Sequence, residues 1–439
     1  MRTILYSVPT GYFTRNLLRT GVIEKLLEKK DLRIVIVTPA YDDADFLKEF
    51  SFSGRIFFEK MQEVDRSYDL LDKVIWKAWS LGHRSVFFQN LYVVILKFQI
   101  RLRYYRKFHR YYKNIFDKYQ PVLVVGGTPG INSRGDLPVF AEAQARGIKT
   151  LALIHSWDNI ALRKGPMWSR PDTLGVWNEF QKQEALKVNF YKEEQVHLVG
   201  PPHFDIYWRE ANFVGRKAFF EKMGIDPVKK MVSIIATAKN LIESAYMVDI
   251  MLEAYRKNKF VLPIQILCRP LPRVDPKIND EEYRRFYADP DVIIDRQIQH
   301  LPKLGWNPDR QQLFHFANLL KYSDCVVTVA STAIIEAAIL DKPVVNVAFS
   351  TNQPELFKKH ITDSVFKNHF KPVLDYKATY VAKDPEEMIA GVNAYLKDPA
   401  LHREERDALK KVMIFKADGK ATERISRLIL GMSGYERPS

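Results

Sequence analysis

Two groups of polar side chains stand where buried strands end, and their types suit phosphate binding and proton transfer. In the first, Ser331 and Thr332 follow the apolar run CVVTVA and precede AIIEAAILD, with Glu336 about one turn further on. A strand leading into Ser-Thr at a helix start sets backbone N–H groups and small hydroxyls where the helix dipole favours negative charge, so a diphosphate fits there. A carboxylate one turn deeper is placed to accept hydrogen bonds from two ribose hydroxyls. The same residues would also make an ordinary helix N-cap with an acidic first turn.

The second group follows the strand IKTLALIH, which runs into Ser156-Trp157-Asp158-Asn159, and PVLVVGG, which runs into TPGINSRGDLP. Polar residues just beyond the carboxyl end of a buried parallel strand lie in the crevice where open α/β sheets bind ligands. His155 and Asp158 are candidates for a general base that draws a proton from an acceptor hydroxyl, and Asp136 is a third. Asp158-Asn159 also reads as an Asx turn, and Asp136 as the N-cap of the helix LPVFAEA. The ten histidines form neither HExxH nor paired Cys/His spacing, so no metal centre is expected. There is no GxxxxGK[ST] loop, which argues against a P-loop kinase.

The elements that must position these residues alternate. RTILYSV, LRIVIVTP, PVLVVGG, IKTLALIH, TLGVWN and QVHLVGPP are continuous apolar runs, the pattern of parallel strands buried on both faces, with helical spacing between them, as in RNLLRTGVIEKLLEKK. After a seam near 203–230 a second set begins with MVSIIATA and continues through PIQILCRP, CVVTVA and PVVNVAF. Two doubly wound α/β domains in tandem account for 439 residues. The expected division is 1–205, 206–410 and a helical ending over 411–439 that packs back.

Cys268 and Cys325 lie inside strand-like runs and read as buried reduced thiols, which points to a reducing cytoplasm. The opening reads as a first strand rather than a signal peptide, and no stretch reaches the length needed to span a bilayer. The net charge of +15 implies an anionic partner. Residues 99–113 combine helical spacing of Ile100, Tyr104 and Phe108 with a crowd of Arg and Lys, a surface suited to anionic lipid, to an acidic acceptor or to plain solvation. No RNA- or DNA-reading motif is visible, so a nucleic-acid partner is not expected.

SDCVVTVASTAIIEAAILDKPVVNV resembles the donor-nucleotide segment shared by GT-B glycosyltransferases, CDP-glycerol glycerophosphotransferases and non-hydrolysing UDP-GlcNAc 2-epimerases, and DGKATERI resembles the ending of the same superfamily. HSWDNI is similar to a segment of bacterial surface-polysaccharide glycosyltransferases. The resemblance implies a GT-B fold, two Rossmann-like domains facing a cleft, with donor phosphates on Ser331 and Thr332 and ribose on Glu336. It puts Arg269 at the diphosphate, although Leu271 replaces the usual histidine of that loop, and it sets His369 and His203 near the donor. Thr10, Gly11 and Arg15 resemble the superfamily's glycine loop and arginine, with one glycine where many relatives have more; Ser156, Trp157 and Asn159 would line the acceptor side. The implied activity is metal-independent transfer of a sugar from a nucleotide-diphosphate donor, with no resident cofactor, to a surface glycan or lipid-linked acceptor at the inner face of the cytoplasmic membrane. Sugar-nucleotide 2-epimerisation, glycerophosphate transfer and a non-enzymatic basic binding protein stay open as alternatives.

Overall fold

In the computed structural model, residues 1–62, 70–103, 111–127, 135–236, 243–271, 281–296, 300–301, 303–367 and 370–435 are described. The chain divides into two compact units. One is Met1–Asp205 with Leu301–Asn307 and Ile414–Ser439; the other is Ile206–His300 with Pro308–Met413. The short stretch Leu301–Asn307 was expected inside the second domain, but it packs with the first because its backbone lies against the loop after the first strand.

The first unit is built on seven parallel strands, β1 Arg2–Ser7, β2 Leu32–Thr38, β3 Ile56–Lys60, β4 Leu123–Gly126, β5 Lys149–Leu153, β6 Thr173–Val176 and β7 Val196–Leu198, in the order β3-β2-β1-β4-β5-β6-β7. Ile4 pairs with Ile34 on one side and Leu123 on the other. The runs are continuous because both faces are covered. Ile4, Tyr6, Ile34 and Ile36 face a core that includes Leu17, Val22 and Ile429, whereas Leu5, Val35 and Val124 face Tyr112, Phe116 and Phe140. The strand order reverses between β1 and β4, the switch point at which such sheets open a crevice.

The helical spacing after β1 does not give one helix. It is divided into Gly11–Phe13, a π-helical turn Thr14–Leu18 and Val22–Leu26, because Gly21 adopts φ +86° and interrupts the ladder. At the other end of the chain, helix Ala421–Met432 joins this unit through a cap supplied far away in sequence. The Asp205 carboxylate accepts from the amides of Ala421 at 3.1 Å and Thr422 at 2.8 Å. The DGKATERI segment is likewise a clamp. Arg424 grips Asp418 with two bonds of 2.9 Å and donates to the carbonyl of Val199.

The second unit has six parallel strands, β8 Lys230–Ile235, β9 Ile264–Arg269, β10 Val292–Ile294, β13 Cys325–Thr328, β14 Val344–Val347 and β15 Tyr380–Ala382, in the order β10-β9-β8-β13-β14-β15. A two-residue pair, β11 His300–Leu301 and β12 Gly305–Trp306, lies between β10 and β13 in the chain. Val326 sits between Ser233 and Val344, so β13 is central and its carboxyl end opens at the second switch point. Helices Arg310–Tyr322 and Pro385–Lys397 start at Asp309 and Asp384, whose side chains cap them.

Candidate active site

In the second unit, β13 ends at Thr328 and the chain turns through Ala330 at φ +31° before helix Ala333–Ile339. The side-chain oxygen of Asn346 on β14 holds this turn by accepting from the Ala330 amide at 3.1 Å. Ser331 turns its hydroxyl inward and accepts from the Ala333 amide at 3.2 Å, while Thr332 occupies the N-cap position without a side-chain cap bond. The amides of Ile334 and Ile335 donate to the carbonyls of Ser331 and Thr332. The helix start therefore satisfies several of its own first-turn amides, and Glu336 is the group that this loop presents with a defined orientation. The Tyr207 hydroxyl donates to Glu336 Oε2. Tyr207 is itself 7% exposed, so it forms a fixed post behind a half-buried carboxylate.

Arg269 ends β9 and is buried. Its Nη1 pairs with Asp295 just past β10, and Asp295 also meets His315 Nε2 at 3.0 Å on helix Arg310–Tyr322. Burial, the largest single influence, opposes ionisation of Asp295, but the His315 hydrogen bond and the Arg269 charge together outweigh it and hold the carboxyl low. The guanidinium expected at a diphosphate is thus committed to a buried carboxylate and stacks over Phe316. His369 lies outside the described residues.

In the first unit the groups gather at the β1/β4 switch point. Gly11 follows β1, and its amide donates to the Leu304 carbonyl at 2.9 Å. A β-carbon at Gly11 would stand 1.9 Å from the backbone oxygen of Trp306, so a single glycine is required here by close backbone approach. Thr10 is the residue just before this first turn. Arg15 lies over the Trp306 ring at 5.1 Å and donates through Nε to Asn16 Oδ1, and Asn16 Nδ2 donates to the carbonyl of His155 at 2.8 Å.

The imidazole of His155 meets the edge of Phe13 with centroids 3.5 Å apart and lies across Gly127, where a β-carbon would be 1.7 Å from Nε2. His203, packed on Trp177 and Phe204, lines the same small cavity. Neither ring nitrogen of either histidine meets a hydrogen-bond partner among the described residues. Burial first, and then the Arg15 charge, push the His155 pKa down to about 3; His203 is held well below its ordinary value by the same two causes and by His155. Both rings are neutral near pH 7, so each has a nitrogen able to accept a proton. His203, expected on the donor side, belongs to the first unit beside His155.

The neighbouring turn is held by its own side chains. Asp158 accepts from Ser156 Oγ at 2.6 Å and pairs with Lys164 at 3.0 Å, while Asn159 Oδ1 accepts from the Ser156 amide. Trp157 is buried. Asp158 is held by a hydroxyl and an ammonium, and it is the Asn159 side chain that accepts a backbone amide in this turn. Asp136 is fully buried at the N-cap position of helix Leu137–Ala145, where its side chain makes no cap bond.

The family model described as CDP-Glycerol:Poly(glycerophosphate) glycerophosphotransferase matches residues 163–431. The chain belongs to this family. Among curated proteins, none matches the chain by sequence. Solved structures are similar along the whole length: the S. aureus MnaA–UDP complex, at 15% identity and TM-score 0.57, covers 100% of this chain and 99% of its own. The wall teichoic acid polymerase TagF, at 12% identity and TM-score 0.56, covers 98% and 89%, and a glycosyltransferase from Rickettsia africae, at 12% and 0.52, covers 98% and 98%. The fold is GT-B-like, with two Rossmann-like domains, and this member of the family is a transferase enzyme.

Within that frame several residues matter that sequence spacing did not single out. Glu184 has its carboxyl raised to about 8 by burial and by neighbouring Asp158. Tyr207, Asp295, His315 and Trp306 complete the two sites from distant parts of the chain. Two Asp-x-Asp segments also exist, but Asp43 caps helix Ala44–Phe50, and Asp289 and Asp291 both pair with Arg256. Among the described residues no group of three His, Cys, Asp or Glu is arranged to hold a metal ion. Cys268 and Cys325 are buried free thiols, and burial raises the pKa of both.

Proposed function

We propose that this chain transfers a glycosyl group from a nucleotide-diphosphate sugar to a hydroxyl of a surface glycan or lipid-linked acceptor, without a metal ion. The observation that carries the reading is the pair of neutral imidazoles, His155 and His203, at the switch point of one Rossmann-like unit, beside a chain of groups leading back to Arg15. In this reading His155 accepts the acceptor's proton, and an anionic ligand brought beside it raises its low pKa towards the working range. The second unit binds the nucleoside, with the ribose hydroxyls donating to Glu336 and the phosphates meeting the Ser331-Thr332 turn.

The family match supports a second reading, transfer of glycerol phosphate, in which the acceptor oxygen attacks the distal phosphorus of CDP-glycerol and CMP leaves. Incubation with UDP-, GDP-, CDP- and dTDP-sugars and with CDP-glycerol, each with and without lipid-linked acceptor, separates them by the product released. Acceptor-dependent nucleoside diphosphate supports glycosyl transfer, and CMP supports the second reading. Isomerised sugar nucleotide formed without acceptor would instead reveal a 2-epimerase and reject both. Turnover that survives EDTA is expected; its loss, restored by a divalent cation, would reject metal-independent transfer.

A further inference from the structure

Helix Val86–Arg103 is apolar on two opposite sides. One side, with Tyr92 and Leu96 each 1% exposed, packs on Ile75, Ala78 and Trp79 of helix Leu70–Gly82 and on Leu137 and Ala141. The other carries Phe87 at 71% exposure, Leu91 at 38%, Val94 at 62% and Phe98 at 62%. Their spacing of four, three and four residues puts them in one stripe, roughly opposite the buried side. A helix that is apolar all round is normally covered on both faces, so a row of two phenylalanines, a valine and a leucine in water calls for an occupant.

The charge around the stripe identifies that occupant. From Lys73 to Phe116 the sequence has ten lysines and arginines and no aspartate or glutamate. Lys73, Lys77 and Arg84 on the same helical hairpin are exposed. A second copy of this chain would bring two such cationic segments together, which is repulsive. Nucleic acid would satisfy the cations but leave the aliphatic and phenyl side chains in water. An anionic bilayer surface meets both requirements, since phenylalanine and aliphatic side chains enter the acyl boundary while lysine and arginine stay at the headgroups. No described helix is long and apolar enough to cross a membrane, so the segment would lie along the surface.

We infer that Phe87, Leu91, Val94 and Phe98 form a lipid-inserting stripe that docks this protein on anionic membrane. The expectation from sequence had centred on residues 99–113; the exposed apolar side lies earlier, and residues 104–110 fall outside the described residues. The inference does not depend on which group is transferred, so its failure would leave the transferase reading in place.

The test is co-sedimentation of the full chain with phosphatidylcholine vesicles and with vesicles containing about 30% phosphatidylglycerol, for wild type and for the charge-neutral double variant F87S/V94S. Wild type should bind the anionic vesicles and not the neutral ones. The double variant should lose at least about tenfold in affinity with unchanged circular dichroism, because two apolar side chains no longer insert. Equal binding by variant and wild type would overturn the inference, as would equal binding to both vesicle types. It would also fall if the serine variant converted a dimer to a monomer while still binding vesicles, or if duplex DNA displaced the vesicles equally from wild type and variant. Should the double variant misfold, V94W supplies a second measurement: vesicles brominated in the acyl chains should quench its added fluorescence, and absence of quenching would refute insertion.

Discussion

Removing the Tyr207 hydroxyl is the most direct probe of the proposed nucleotide site, because Tyr207→Phe changes one hydrogen bond and almost no volume. In the fold that hydroxyl donates to Glu336 Oε2 from a side chain 7% exposed. A hydrogen bond to a charged group contributes about 1.5–3 kcal/mol. Glu336 is half-buried, so water can take the vacated place, and the net loss of orientation is nearer about 1 kcal/mol, a roughly fivefold change in affinity. The change has a signature. If Glu336 receives the ribose hydroxyls, Tyr207→Phe weakens UDP or CDP by roughly fivefold but leaves the 2′-deoxy nucleotides within about twofold, since those already lack one donor. Glu336→Gln should abolish most of the remaining discrimination. Isothermal titration with the four nucleotides reads this out. Equal weakening of ribo and deoxyribo forms would show that Tyr207 only supports the fold, and unchanged affinity for all four would remove Glu336 from the binding site.

Asp205→Ala leaves two buried amides at the start of helix Ala421–Met432 without their carboxylate, a loss of about 2–4 kcal/mol. Thermal unfolding should fall by about 4–16 °C at 2–4 °C per kcal/mol, and a shift below about 2 °C would contradict the capping role. Gly127→Ala puts a β-carbon where His155 Nε2 stands, so turnover should drop about a hundredfold while nucleotide affinity holds; full turnover would remove His155 from the reaction. The pH dependence follows from the same ring. Folded, His155 takes its proton only near pH 3, whereas its ordinary value is 6.5, so the unfolded chain binds the extra proton between those limits. Stability is complete above about pH 6.5 and declines as pH falls, by about 2 kcal/mol at pH 5 from this histidine alone. Urea midpoints at pH 7.5 and 5.0 should separate less in His155→Gln than in wild type, and an equal separation would show that the ring is not held neutral.

The alternating apolar runs revealed both sheets because parallel strands buried on two faces carry their signal locally, in consecutive residues such as Ile34–Val37. The loop from Ser331 to Glu336 was legible for the same reason: strand, turn and helix follow each other within a dozen residues. What local pattern does not contain is the partner that arrives from elsewhere. Tyr207 reaches Glu336 across 129 positions, Asp205 caps a helix 216 positions later, and the need for Gly11 comes from the Trp306 backbone. The π-helical turn at Thr14–Leu18 escaped as well, since its residues keep a helical spacing up to the left-handed Gly21.

Arg269 shows how a distant partner bears on a functional assignment rather than only on a boundary. The superfamily resemblance places this arginine, at the end of a buried strand, where it would neutralise a leaving diphosphate. In the fold its guanidinium already faces Asp295, a carboxylate 2% exposed that also holds His315. Leaving that partner to meet a phosphate would uncover a buried charge, at a cost of about 3–5 kcal/mol. A ligand phosphate would have to return that amount before binding gained anything. The simpler arrangement keeps the Arg269–Asp295–His315 network intact as the brace that fixes the ends of β9 and β10, so that Arg269→Lys would loosen the sheet edge before it weakened the donor.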